Sequence, residues 1–202
     1  MNRRPSYAGW IAVAIVLVLI VYVMTSYNGL IASEQAVDAQ WGQVQNVYQR
    51  RADLVPNLVA TVKGAANFEK STYIAVAQAR ASVGQITPQA LQGALNDPKT
   101  FAQYQSAQNS LGATLSRLLV VTENYPTLQA NQDFLTLQSQ LEGTENRIAV
   151  ERKRFNDLAQ AFNTRRNTMP TALVANFFGA KFADKPYFSA TSQAQTVPKV
   201  QF

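Results

Sequence analysis

The polarity of this chain changes once, and sharply. From Pro5 to Ser33 there is no charged side chain, and inside that window Ala8 to Met24 reads AGWIAVAIVLVLIVYVM, almost wholly apolar. A helix needs roughly 17–25 such residues to cross a bilayer core. The run therefore predicts a transmembrane helix over residues 7–27, with Ala8, Trp10, Ile15, Leu19 and Met24 among its spanning positions. Beyond it the pattern becomes amphipathic. Val37, Trp41, Val44, Tyr48, Val55, Leu58 and Val62 recur at alternating three- and four-residue steps, with Arg51 in one slot of the same seam. That is the stripe of a bundle helix, and it reads on from the apolar run without a break. Pro56 lies inside it and is expected to kink the helix or divide it in two.

Further helices follow from the same spacing and from end signals. A second stretch, about Asn67 to Val83, is Ala-rich with Tyr73, Ile74 and Val76, and Gly84 breaks it. Thr87-Pro88 and Asp97-Pro98 each place a capping residue before a Pro at the first helical position. The first opens a short turn ending near Asn96, the second a helix to about Glu123 with Phe101, Tyr104, Leu111, Leu115 and Leu118 on one face. After the turn Asn124-Tyr125-Pro126, Pro126 is expected to open the last long helix. Its seam is Phe134, Leu137, Leu141, Thr144, Ile148, Glu151, Phe155, Leu158 and Phe162, and Pro170 marks its end.

The expectation is an all-α fold: an N-terminal transmembrane helix, then an antiparallel four-helix bundle with long first and last helices. The divisions are a flank over 1–6, a signal anchor over 7–27, the bundle over 28–170, and an aromatic segment with a flexible tail over 171–202. If the first and last long helices are antiparallel neighbours, Ala65 lies beside Leu128. Equal rise then sets Arg51 near Glu142 and brings Phe162 to Arg166 to the membrane-proximal end.

Charge refines the placement. The formal net charge of +6 falls to +4 once Arg3 and Arg4 are counted with the anchor. Those two precede the apolar run, whereas Glu34 and Asp38 follow it and no Lys or Arg appears until Arg50. The Lys/Arg bias puts the short N-terminus in the cytoplasm and the bundle outside it. A cleaved secretory signal is disfavoured, because the run is long and no Ala-x-Ala site follows it. The basic surplus is modest and lacks interleaved stacking aromatics, so nucleic acid is not an expected partner.

At this point two long strings become recognisable. Ala39 to Glu69, AQWGQVQNVYQRRADLVPNLVATVKGAANFE, and Tyr125 to Asp157, YPTLQANQDFLTLQSQLEGTENRIAVERKRFND, resemble the signature stretches of the LemA family. Tyr27-Asn28, Ala79-Arg80 and the closing PTALVANFFGAKFADKPYFSA resemble it too. The resemblance implies a bacterial protein with one N-terminal membrane helix, a four-helix bundle and no established catalytic residues. For some members it implies the opposite orientation, with the short N-terminus outside.

The chain has no His and no Cys. That removes His-based zinc sites, Ser-His-Asp triads, cysteine nucleophiles and Glu-x-x-His di-iron sites. No catalytic residues, no metal ligands, no cofactor and no small-molecule substrate are expected. The strongest polar constellation is Arg50, Arg51, Asp53 and Asn57 facing Glu142, Glu145, Asn146 and Arg147. Seam-facing ion pairs usually fix register between helices. The rival reading is a carboxylate pair, Glu142 and Glu145, that binds a cation or serves as acid and base. Gly143 suggests close helix approach. Arg152, Lys153, Arg154, Arg165 and Arg166, with Phe177, Phe178, Tyr187 and Phe188, are candidate contacts to a membrane surface or partner. The expectation is a non-enzymatic, membrane-anchored scaffold or adaptor of the bacterial inner membrane that works by self-association or through another membrane protein. A purely structural homo-oligomer is the third possibility.

Overall fold

The computed structural model describes residues 7–64 and 70–189. The expected flank over 1–6, the helix start at Asn67 to Glu69 and the tail over 190–202 lie outside the described residues, as does the side chain of Ala8. All regular structure among the described residues is helical. The helices are α1 (Tyr7–Lys63), α2 (Lys70–Gly84), α3 (Pro88–Gly93), α4 (Pro98–Thr122), α5 (Pro126–Gln129), α6 (Gln132–Asn167) and α7 (Thr171–Phe177). Short 3-10 turns cover Ala94–Asn96 and Gly179–Phe182.

Helix α1 is continuous across the expected boundary at residues 27 and 28, so the apolar run and the first bundle helix are one element. Its 57 residues extend about 85 Å at 1.5 Å per residue. Pro56 does not divide it. Val55 and Leu58 on either side are buried, and their packing holds the helical path through the lost hydrogen bond. The N-terminal part is long and apolar enough to cross a membrane, and its large side chains are exposed.

The four long helices alternate in direction. Helix α1 pairs with α6, α2 pairs with α4, and α1 also touches α2. Gln40 meets Glu151, and Arg51 meets Glu145, which fixes α1 and α6 as antiparallel neighbours. Every member of the expected α1 seam from Val37 to Val62 is buried, Arg51 included. Two expectations shift. Pro126 opens only the short α5, and α6 begins at Gln132, capped by the Asn131 side chain on the Phe134 amide. Residues 171–189 do not hang free: α7, the Gly179–Phe182 turn and the extended stretch after it pack onto the bundle.

The core is in two parts. One cluster gathers Trp41, Tyr48, Phe101, Phe155, Phe162 and Phe188 in the half nearer the apolar run. The other gathers Val55, Leu58, Leu111, Leu115, Phe134 and Leu141 in the far half. Between them lies a layer of polar side chains.

Candidate functional site

That polar layer is built on Arg51. It occupies a seam slot of α1, so its guanidinium enters the bundle instead of the solvent, and its side chain is 3% exposed. Nη1 donates to Glu145 Oε1 of α6 at 3.0 Å. Nη2 donates to the Gln108 carbonyl of α4 at 2.8 Å and also to the Gln108 side-chain oxygen. The Tyr48 ring, one turn before it, lies 5.2 Å from the guanidinium carbon. Gly112 leaves the room this needs: a Cβ there would stand 3.1 Å from Nη1. One arginine thus ties three helices together. The Arg51 Nε and the Tyr48 hydroxyl are buried without a hydrogen-bond partner among the described residues. Burial raises the Tyr48 hydroxyl above its ordinary pKa, with Arg152 and Arg51 pulling the other way. Burial pushes its neighbour Tyr104 up to about 12, against a hydrogen bond from Gln108.

A second buried ion pair went unrecognised in the sequence. Lys185 lies in the extended stretch after α7, yet its side chain is almost wholly buried. Its Nζ donates to Glu34 Oε1 of α1 and to Asn96 Oδ1, both at 2.8 Å. Nearby, burial raises the Asp38 carboxyl above its usual range, while Lys185 lowers it. Two asparagines of α6 fasten this stretch as a β-strand partner would. Asn163 Oδ1 accepts from the Lys185 amide and Nδ2 donates to its carbonyl, and Asn156 does the same for Phe188. An isolated Asn-x6-Asn spacing on a helix was the available signal.

The remaining expected residues scatter. Arg50, Asp53, Asn57, Glu142, Asn146 and Arg147 are exposed, so the eight-membered cluster reduces to Arg51 and Glu145 with Gln108 added. Arg51 meets Glu145 and not Glu142, one helical turn from the expected register. Equal-rise counting from Leu128 fails across the non-helical turn between α5 and α6. Glu142 accepts from Gln138 on its own helix. Gly143 faces open space, which corrects the reading of close helix approach.

Arg152, Lys153 and Arg154 stand level with Gln40, about 20 Å along α1 from Tyr27. Lys153 pairs with Asp157, Arg154 with Glu151, and Arg152 covers the Phe188 ring while donating to Asn109. These residues thus stand well away from the apolar run. Phe188 is also corrected: it is a core residue against Trp41, Phe101 and Phe155. Tyr187 is half exposed and takes a hydrogen bond from Asn163. Arg165, Arg166, Phe177 and Phe178 lie at the end of the bundle nearer the apolar run, near Gly29 and Tyr27.

Among the described residues no three acidic, His or Cys side chains converge to hold a metal. An open cleft of about 590 Å³ lies between α1, α2 and α4, lined in part by Gln45, Asn46, Gln49, Arg80, Tyr104 and Gln108. Its one charged group, Arg80, donates to the Ala52 carbonyl. The arrangement pairs charges across helices.

Comparison with known proteins identifies relatives of this sequence. The model of the LemA family matches residues 40–202. The chain is similar to magnetosome proteins MamQ 1 and MamQ 2 of Paramagnetospirillum magneticum, each 26% identical over 92% of this chain and 75% of the relative. It is similar also to magnetosome protein MamQ of Magnetospirillum gryphiswaldense, 26% identical over 85% of this chain and 71% of the relative.

Proposed function

This chain belongs to the LemA family, and on that premise we propose that it is a membrane-anchored helical scaffold or adaptor of the bacterial cell envelope. It is held in the cytoplasmic membrane by one span and works through self-association or a protein partner, without catalysis. The observation that carries the reading is the unbroken α1, which makes a membrane span and a bundle helix one rigid rod. The buried charges support it, since Arg51–Glu145 and Lys185–Glu34 join elements to each other. The relatives' names connect those proteins with the magnetosome. The carboxylate alternative has less behind it: Arg51 already engages Glu145, the better enclosed of the two acids.

For orientation we retain the short N-terminus in the cytoplasm. Arg165, Arg166 and Lys181 reach the bundle side of the span only after folding. Insertion reads charges along the chain near the span, where Arg3 and Arg4 dominate.

The test is crosslinking in intact cells, then purification of the tagged full-length protein in mild detergent. A stoichiometric second protein, or a discrete assembly of copies, is the expected outcome. A lone monomer with no crosslinked neighbour would overturn the proposal.

A further inference from the structure

Helix α7 carries an apolar stripe that the bundle leaves uncovered. Leu173 and Phe177, four residues apart on α7, are 62% and 84% exposed, and Met169 in the turn before the helix is 64% exposed. The opposite side of the same helix, Val174 and Ala175, is buried against the bundle. The stripe therefore faces outward by design of the sequence and not through fraying.

Its height along α1 identifies what it faces. The Thr171 hydroxyl lies 3.4 Å from the Tyr22 hydroxyl, and Tyr22 is inside the apolar run that ends at Met24. One and a half turns further on, Phe178 packs on the Tyr27 ring at 4.8 Å, and Lys181 donates to the Tyr27 hydroxyl. Next above, the Arg165 guanidinium lies across Gly29 and reaches Ser33. The order along the axis runs from Thr171 beside the apolar run, through an aromatic layer that Phe177 and Lys181 join, to Arg165. A bilayer has that same order from acyl chains through the interface to anionic headgroups. Tyr22 and Tyr27 are about 7.5 Å apart along the helix, within the roughly 5–10 Å to which interfacial helices sink. The stripe is also continuous with the exposed apolar surface of the span itself.

We propose that α7 is a second membrane attachment: a short helix inclined into the bilayer interface, with Leu173, Phe177 and the preceding Met169 in lipid and Arg165 and Lys181 at the headgroups. The partner is a lipid surface containing anionic headgroups. This inference rests on the reading of residues 7–27 as a span. With two points of contact the bundle is held at a set tilt instead of pivoting on a single helix.

The chain lacks Cys, so single-cysteine variants report without background. Full-length Phe177→Cys, Val21→Cys and Val120→Cys are each spin-labelled and reconstituted in phosphatidylcholine–phosphatidylglycerol vesicles. Collisions with oxygen, enriched in lipid, are compared with collisions with a water-soluble nickel chelate. The expected result is oxygen-favoured collision at positions 177 and 21 and nickel-favoured collision at the exposed, far-end position 120. Nickel-favoured collision at 177 with position 21 in lipid overturns the inference and leaves the span standing. Nickel-favoured collision at 21 removes the span and this inference with it. A label at 177 shielded from both reagents and dipolar-coupled to another label would show a second copy on the stripe, which also overturns the inference.

Discussion

A buried arginine in an apolar seam is tolerated when its hydrogen bonds are met, and Arg51 meets most of them through Glu145 and Gln108. Its partner Glu145 is 41% exposed and rehydrates easily if left alone. Arg51→Ala should therefore destabilise by about 3 kcal/mol, at the low end for a broken buried pair, chiefly because Gln108 loses its partner. Glu145→Gln, which keeps an acceptor, should cost about 1 kcal/mol. Denaturant unfolding of the two variants checks the ranking, and equal losses would place the main interaction on the ion pair and not on Gln108. The arginine was legible in the sequence because it fills a slot in a strict stripe. Gln108 was legible only in hindsight: it fills the seven-residue gap that the α4 seam leaves between Tyr104 and Leu111. Lys185 was not legible, since an extended segment has no period to show which side it turns inward.

At the scale of elements, capping chemistry placed the helix starts well. Thr87 and Asp97 accept from the backbone two or three residues on, as expected, and Asn131 does the same for α6, whose expected start was Pro126. Asp97 also receives the Thr100 hydroxyl, and these hydrogen bonds hold its carboxyl below the ordinary 3.8. A depressed folded-state value contributes stability above the unfolded value that disappears as pH falls through the folded one. Asp97→Asn, which keeps a capping oxygen, should unfold near the wild-type temperature around neutral pH and lose less as the pH falls below the ordinary carboxylate value. Parallel acid slopes in thermal melts would remove Asp97 as a contributor. At two prolines packing settled what local preference had left open or misplaced. Pro56 leaves α1 whole because residues on both sides are anchored in the core, and Pro126 opens a turn that Asn131 then restarts as α6. Neither outcome is visible in a window of one helix.

At the scale of the whole molecule, the stretch after α7 acts as a strap from the end nearer the apolar run back along α6. Phe188 is its main fastening, wedged among rings from α1, α4 and α6. Phe188→Ala should cost about 3 kcal/mol, as large-to-small core changes do, whereas Phe177→Ala at an exposed site should stay within about 0.5 kcal/mol. Unfolding followed by Trp41 fluorescence distinguishes them, and a near-neutral Phe188→Ala would mean that the strap is dispensable. The unbroken α1 carries a further consequence at this scale. A helix advances about 100° in azimuth with each residue, so the angular phase of the bundle around the span is set by residue count and not by a swivelling linker. Two copies whose spans meet along a given side would present fixed faces of their bundles to one another. Inserting a single residue near Asn28 would rotate those faces together, like a key turned by its shaft.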